Sequence, residues 1–119
     1  MYFQLGNGDD FDVKKPKIIE SLKGEKIIRA NGGLFHSTAV NEKGECFSWG
    51  LSSNVGNQLG HKGVRGIPKP KKIDFLQKIK IINSFCGLHH TLKFFILFYF
   101  IYFIILSYFF FFNYYLVCF

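Results

Sequence analysis

Gly44-Glu45-Cys46-Phe47-Ser48-Trp49-Gly50, followed by Asn54-x-x-Asn57-Gln58-Leu59-Gly60, is the stretch from which the rest of the chain can be read. Its last three residues have already occurred once, as Gln4-Leu5-Gly6, at an interval of 54. Other pairs keep that interval without a gap. Pro16-Lys17 recurs as Pro70-Lys71, Lys26-Ile27-Ile28 as Lys80-Ile81-Ile82, and Gly33-Leu34-x-His36 as Gly87-Leu88-x-His90. A constant offset over that length marks a repeat architecture, each copy one supersecondary unit. Periods near 50 are usual for propeller blades and exceed those of most helical repeats.

Local chemistry agrees. Lys26 to Ala30 is a short β-branched run, and Gly32-Gly33 supplies a sharp turn through the glycine tolerance of positive φ. His36 to Val40 suits a strand. Asn41-Glu42-Lys43-Gly44 reads as a hairpin connection, and Glu45 to Trp49 as an imperfectly alternating strand. From Gly50 a loop begins, rich in the turn formers Ser52, Ser53, Asn54, Gly56 and Asn57. His61 to Lys72 reads as a long basic loop holding Gly63, Gly66, Pro68 and Pro70, and Ile79 to Phe85 repeats the first strand. Short strands between turn clusters, with no helical periodicity, predict an all-β blade.

The quoted stretch, together with Pro70-x-x-Ile73 and Phe85-Cys86-Gly87-Leu88-His89-His90-Thr91-Leu92, resembles the RCC1 (regulator of chromosome condensation) repeat over roughly residues 3–92. That family's pattern runs from Cys-Gly-x-x-His-Thr-x-Ala through Gly-x-aromatic-x-Trp-Gly to Gly-Gln-Leu-Gly. Here Asn31-Gly32-Gly33 stands where the second copy has Phe85-Cys86-Gly87, and Asn57 replaces the usual Gly before Gln-Leu-Gly. The chain begins within one repeat and leaves another after Leu92, so the expectation is about one and a half repeats. The resemblance implies incomplete antiparallel blades of what would be, when complete, a seven-bladed β-propeller.

The motif positions are Gly33, His36, Trp49, Gly50, Gln58, Leu59, Gly60, Gly87 and His90. His36 and His90 occupy equivalent places, each followed by Ser or Thr. Catalytic residues rarely recur in every repeat, whereas structural ones must, so both histidines read as bridges between backbone groups at a buried turn. Trp49 reads as packing between blades. No constellation supports catalysis, no cofactor is implied, and a metal site fails on spacing, because the tandem His89-His90 has no second ligand pair at a usual distance.

All 15 Lys and Arg and all 8 Asp and Glu lie in residues 1–93 and give a formal net charge of +7. Two basic clusters stand out: Lys14-Lys15-x-Lys17, and Lys62, Arg65, Lys69, Lys71 and Lys72. Such clusters meet phosphate or an acidic protein face, or simply face solvent. The second is the candidate contact patch for a protein, nucleic acid or chromatin, although it lacks the interleaved aromatics of single-strand stacking. Cys46, Cys86 and Cys118 show no CxxC spacing, and Met1-Tyr2-Phe3-Gln4 is not the start of a secretory leader. Cys46 and Cys86 therefore read as reduced packing residues of an intracellular protein, cytoplasmic or nuclear.

At Lys93 the composition changes, which divides the chain into repeats over 1–92 and a hydrophobic tail over 93–119. Residues 94–119 contain no charge, Gly, Pro or Ala, but ten Phe and five Tyr. As a helix, residues 94–112 would extend about 28 Å, near the hydrocarbon thickness of a bilayer, with the positive charge on the cytoplasmic side. Three readings of the tail stand: translated AT-rich non-coding sequence, a transmembrane anchor, or an apolar partner-binding segment. A blade cannot bury both faces alone, so the chain by itself in water is expected to be poorly folded or oligomeric.

The function implied is that of a protein-interaction module. RCC1-like proteins act as guanine-nucleotide exchange factors for small GTPases, as chromatin binders, or as scaffold domains in ubiquitin ligases and ciliary proteins. Exchange works by stabilising the nucleotide-free GTPase, and it draws on loops from several blades. The alternatives are a tail-anchored membrane protein displaying these repeats and a truncated gene product without activity of its own.

Overall fold

The computed structural model describes residues 3–9, 11–52, 58–87, 91–96 and 114–118. Two antiparallel sheets carry the fold. The first contains β1 (Ile27–Gly32), β2 (His36–Asn41), β3 (Cys46–Leu51) and β4 (Gly66–Lys72), in that spatial order. The second orders β5 (Ile81–Cys86), β6 (Thr91–Ile96) and β7 (Tyr114–Cys118). Each sheet is preceded by a single 3-10 turn, Glu20–Leu22 and Asp74–Leu76.

The interval of 54 seen in the sequence is reproduced residue for residue in the backbone. Both 3-10 turns, and β1 and β5 at both ends, are separated by it. Each of the strands β1 and β5 is irregular at the corresponding point, between Ile27 and Arg29 and between Ile81 and Asn83. The cores repeat as well. Ile19, Leu22 and Ile27 pack against Ala39, Phe47, Trp49, Leu59 and Ile67. Their equivalents Ile73, Leu76 and Ile81 pack with Val40 and Cys46. Cross-strand pairing sets Ala39 beside Phe47 and Val40 beside Cys46. Because side chains alternate faces along a strand, one copy of the linking segment covers one face of the first sheet and the next copy covers the other.

Three local readings are corrected. Gly32 and Gly33 are not among the residues with positive φ. Gly32 ends β1, and Gly33 is required for close approach: a Cβ there would sit 2.7 Å from the His36 ring and against the Gly87 carbonyl. The basic segment thought to be loop is largely strand, since β4 takes up residues 66–72. Pro68 and Pro70 are compatible with it because β4 is the outer strand of its sheet, where a missing N–H costs no ladder bond. Finally, the sequence reads the tail as helical if ordered. Its described residues are strand, with 94–96 in β6 and 114–118 in β7. Pairing of β6 with β5 on one side and β7 on the other satisfies their backbone groups, and β-branched and aromatic residues suit that setting. Most of the segment 94–112 read as a candidate span lies outside the described residues. Among the described residues no helix is long and apolar enough to cross a membrane.

Candidate functional site

The second sheet docks on the first mainly through β5 against β2 and β1, and polar side chains carry the joint. Thr38 Oγ1 lies 2.8 Å from Ser84 Oγ and 3.3 Å from Cys86 Sγ, while Asn31 donates its amide to the Ser84 carbonyl. His36, fully buried, places Nε2 2.8 Å from Thr91 Oγ1. The Thr91 hydroxyl donates to the Gln58 carbonyl. A hydroxyl has one proton, so the His36 contact requires an Nε2–H donating to Thr91. Each neutral bond is worth about 1 kcal/mol net, and more if one partner is left stranded.

The Gln-Leu-Gly element is the latch of this joint. Ser37 donates to the Gln4 carbonyl at 2.9 Å, as its equivalent Thr91 does to Gln58 at 2.8 Å. Trp49 Nε1 donates to the same Gln4 carbonyl at 2.7 Å. Leu59 is fully buried in the core, whereas its equivalent Leu5 is 49 % exposed. Gly50, at φ 106, lets β3 lie against the start of β2: Leu51 N donates to the Phe35 carbonyl at 2.7 Å. Gly60 sits in the left-handed region against Ile73. Of the motif residues, His90 lies outside the described residues.

Trp49→Phe removes the indole N–H but leaves Ser37 on the Gln4 carbonyl. We expect a loss of about 1–2 kcal/mol in urea melts followed by circular dichroism. Ser37→Ala combined with Trp49→Phe should lose more than the two single changes together, because the carbonyl then loses both donors.

Of the five basic residues chosen from sequence, Lys69, Lys71 and Lys72 lie on β4 and Lys62 and Arg65 precede it. Lys62 and Arg65 are exposed in the loop before β4, and Lys69 lays its stem on Gly8. Lys71 is exposed and helps burial push the His61 pKa down, burial being the larger cause. Lys72 pairs with Glu45. The Lys72 hydrogen bond, then that from Asn41 Nδ2 at 2.7 Å, holds the Glu45 carboxyl below its ordinary value.

Around that pair the structure assembles a cavity of about 190 Å³ that sequence reasoning missed. Lys43, Lys72, Lys78 and Lys80 line it, with Cys46, Ile73, Leu76 and Ile79. The lysines come from three separate segments, so no linear cluster announced them. Cys46 and Cys86 are free thiols, both pushed up in pKa mainly by burial. Lys93 is fully buried on β6, and burial is the main cause of its lowered pKa. Among the described residues no group of three or more His, Cys, Asp or Glu is arranged to hold a metal.

Comparison with known proteins matches this geometry. The chain is 35 % identical over 91 residues to the human E3 ubiquitin-protein ligase HERC2, covering 76 % of this chain and 2 % of that one. It is 32 % identical over 95 residues to the Arabidopsis thaliana ultraviolet-B receptor UVR8, covering 76 % and 20 %. The match to the Xenopus laevis RCC2 homolog is 39 % over 70 residues, covering 59 % and 14 %. The chain thus spans a small part of the relatives it matches. Human WBSCR16 shares the fold at a TM-score of 0.53 and 21 % identity, over 58 % of this chain and 17 % of that one. The family model for the regulator of chromosome condensation repeat matches residues 1–40 and 43–93. Matched over both copies of the duplicated segment, this chain belongs to the RCC1 repeat family.

Proposed function

We propose that these repeats are a protein-binding scaffold, part of a propeller whose exposed connections meet a partner protein. The observation that carries this reading is where the buried polar chemistry goes. His36, Thr38, Ser84 and Thr91 are engaged in holding one repeat to the next, and Ser48 donates to the Leu59 carbonyl. That leaves recognition to exposed side chains. The relatives' names, a ubiquitin ligase and a light receptor among them, describe different activities on one repeat, as expected of a scaffold.

Within an exchange factor for a small GTPase, this chain would contribute contacts without completing the exchange surface. The test has two arms on the full chain. Proteins captured from extract are purified and retitrated singly, and at least one should rebind saturably at one-to-one stoichiometry. GTPases loaded with a fluorescent nucleotide should release it no faster with the chain than without. Failure of every captured protein to rebind would remove the scaffold reading, and accelerated release would show that the exchange surface is already complete here.

A further inference from the structure

β5 docks on β2 and β1. Its equivalent, β1, therefore turns the same side of a repeat outward, toward a partner of the same build. Burial shows what such a partner does. Leu59 is fully buried, whereas Leu5 is exposed. Ser84 is fully buried, whereas its equivalent Ala30 is exposed. Ile73, Leu76 and Ile81 are buried, whereas Ile19, Leu22 and Ile27 are only half-buried. These differences share one sign: the side that is covered in the second copy meets solvent in the first.

The far side of the second sheet offers the matching surface. Ser84 turns toward the first sheet, so Phe85, the next residue on β5, lies on the opposite side, where it is 45 % exposed. Inside the chain this joint is polar: Asn31 and Thr38, register partners across β1 and β2, both bond to Ser84. One interval onward, Phe85 and Leu92 are the register partners across β5 and β6. One interval back, Ala30 stands for Ser84. All three polar positions are thus apolar on the two outward sides. A lone exposed apolar residue is ordinary surface. A matched change on the two sides that repeat geometry would bring together points to a contact between them. It also sets the large Phe85 against the small Ala30, as close packing requires.

We propose that a second copy of this chain stacks head to tail on the first, its β5 and β6 covering β1 of the neighbour and its Phe85 resting on Ala30. The contact is heterologous, because each copy offers a different face, and such contacts close into rings or run on as filaments. Each copy brings two sheets. Propellers close at about four to eight blades, so closure takes about two to four copies. Each copy also carries a formal charge of +7, so approach is opposed by a repulsion that salt screens. The inference goes beyond the scaffold reading and does not depend on it.

Sedimentation velocity on the full chain is the test. The 13.8 kDa chain should gain mass with concentration. Over about 1 to 100 µM it should reach about two to four copies, with a lower midpoint at higher salt. Ala30→Glu spoils one face and Phe85→Glu the other. Each puts an unpaired carboxylate into the contact and should weaken assembly at least about tenfold. Phe75→Glu is the control: it makes the same charge change at a residue that stays 57 % exposed in the covered copy, and assembly should be unaffected. An equimolar mixture of Ala30→Glu and Phe85→Glu proteins should form a one-to-one dimer and nothing larger, since each retains one intact face. Misfolded variants could not do this. A chain that stays monomeric throughout would overturn the proposal, as would a mixture that stays monomeric. So would assembly lost in only one of the two face variants, the mark of like faces meeting, or lost equally in Phe75→Glu.

Discussion

Gly50→Ala should leave the chain without a cooperative folding transition. Two costs combine. At φ 106 the backbone lies where side chains with a Cβ are strained, on the order of 1–3 kcal/mol. The added methyl would also collide with the Phe35 carbonyl and lie 2.6 Å from His36 Cα, both backbone atoms that no rotamer change can move. Forcing β2 from β3 is overpacking, costing on the order of 1–3 kcal/mol more. Together they approach the roughly 5 kcal/mol at the low end of domain stability. Gly24→Ala separates the two costs. It too has positive φ, 88, but nothing lies within 4 Å of the added atom. It should lose about 1–2 kcal/mol and keep its transition. Fluorescence of Trp49, the one tryptophan, follows both in urea. A Gly50→Ala protein melting like Gly24→Ala would show that the β2–β3 contact yields easily.

Lys93→Met should stabilise the chain, on the order of 1–4 kcal/mol, because a buried ionisable group is often outperformed by an apolar one of similar volume. Lys93 is fully buried, and burial is the main cause of its lowered pKa. The unfolded chain keeps the Lys93 proton up to about 10.5, while the folded chain releases it sooner. Between the folded and unfolded values the unfolded state binds more protons, so stability rises with pH across that window. The variant should lack this rise and be the more stable protein below it. Thiols of Cys46 and Cys86, raised from 9.0 by burial, act in the opposite direction above that value in both proteins. The informative quantity is therefore the wild-type minus variant difference in urea melts from pH 7 to 11. A variant less stable at every pH would mean that the amine makes net favourable contacts at the joint.

The 54-residue offset made the repeat legible, because whatever packs one copy must pack the next. It anticipated β5 as a copy of β1 and the equivalence of Gln4 with Gln58, whereas the paired 3-10 turns at the same offset emerged only with the structure. Signals tied to one position fared worse. Pro68, Pro70 and four basic residues between Lys62 and Lys71 carry the composition of a loop, yet an outer strand accepts the same residues. Gly33 looked like a turn glycine, but its reason is the nearness of the His36 ring and the Gly87 carbonyl, a contact between copies. Lys93 stands where Ala39 stands in the first copy, and no local pattern marks a lysine for burial. Of the four lysines around Glu45, Lys72 is brought there by the pairing of β4 with β3, and Lys78 and Lys80 by the segment that leads into β5.

The prolines of β4 have a consequence for how this kind of chain can grow. Two positions on that outer rim offer no amide to a newcomer, and the Pro68 carbonyl is taken by Gly8 N at 3.0 Å. Lateral extension by a foreign strand is discouraged there, so new material joins by stacking on a face. Damage in such a stack reaches the adjoining layer first and fades with each layer beyond it.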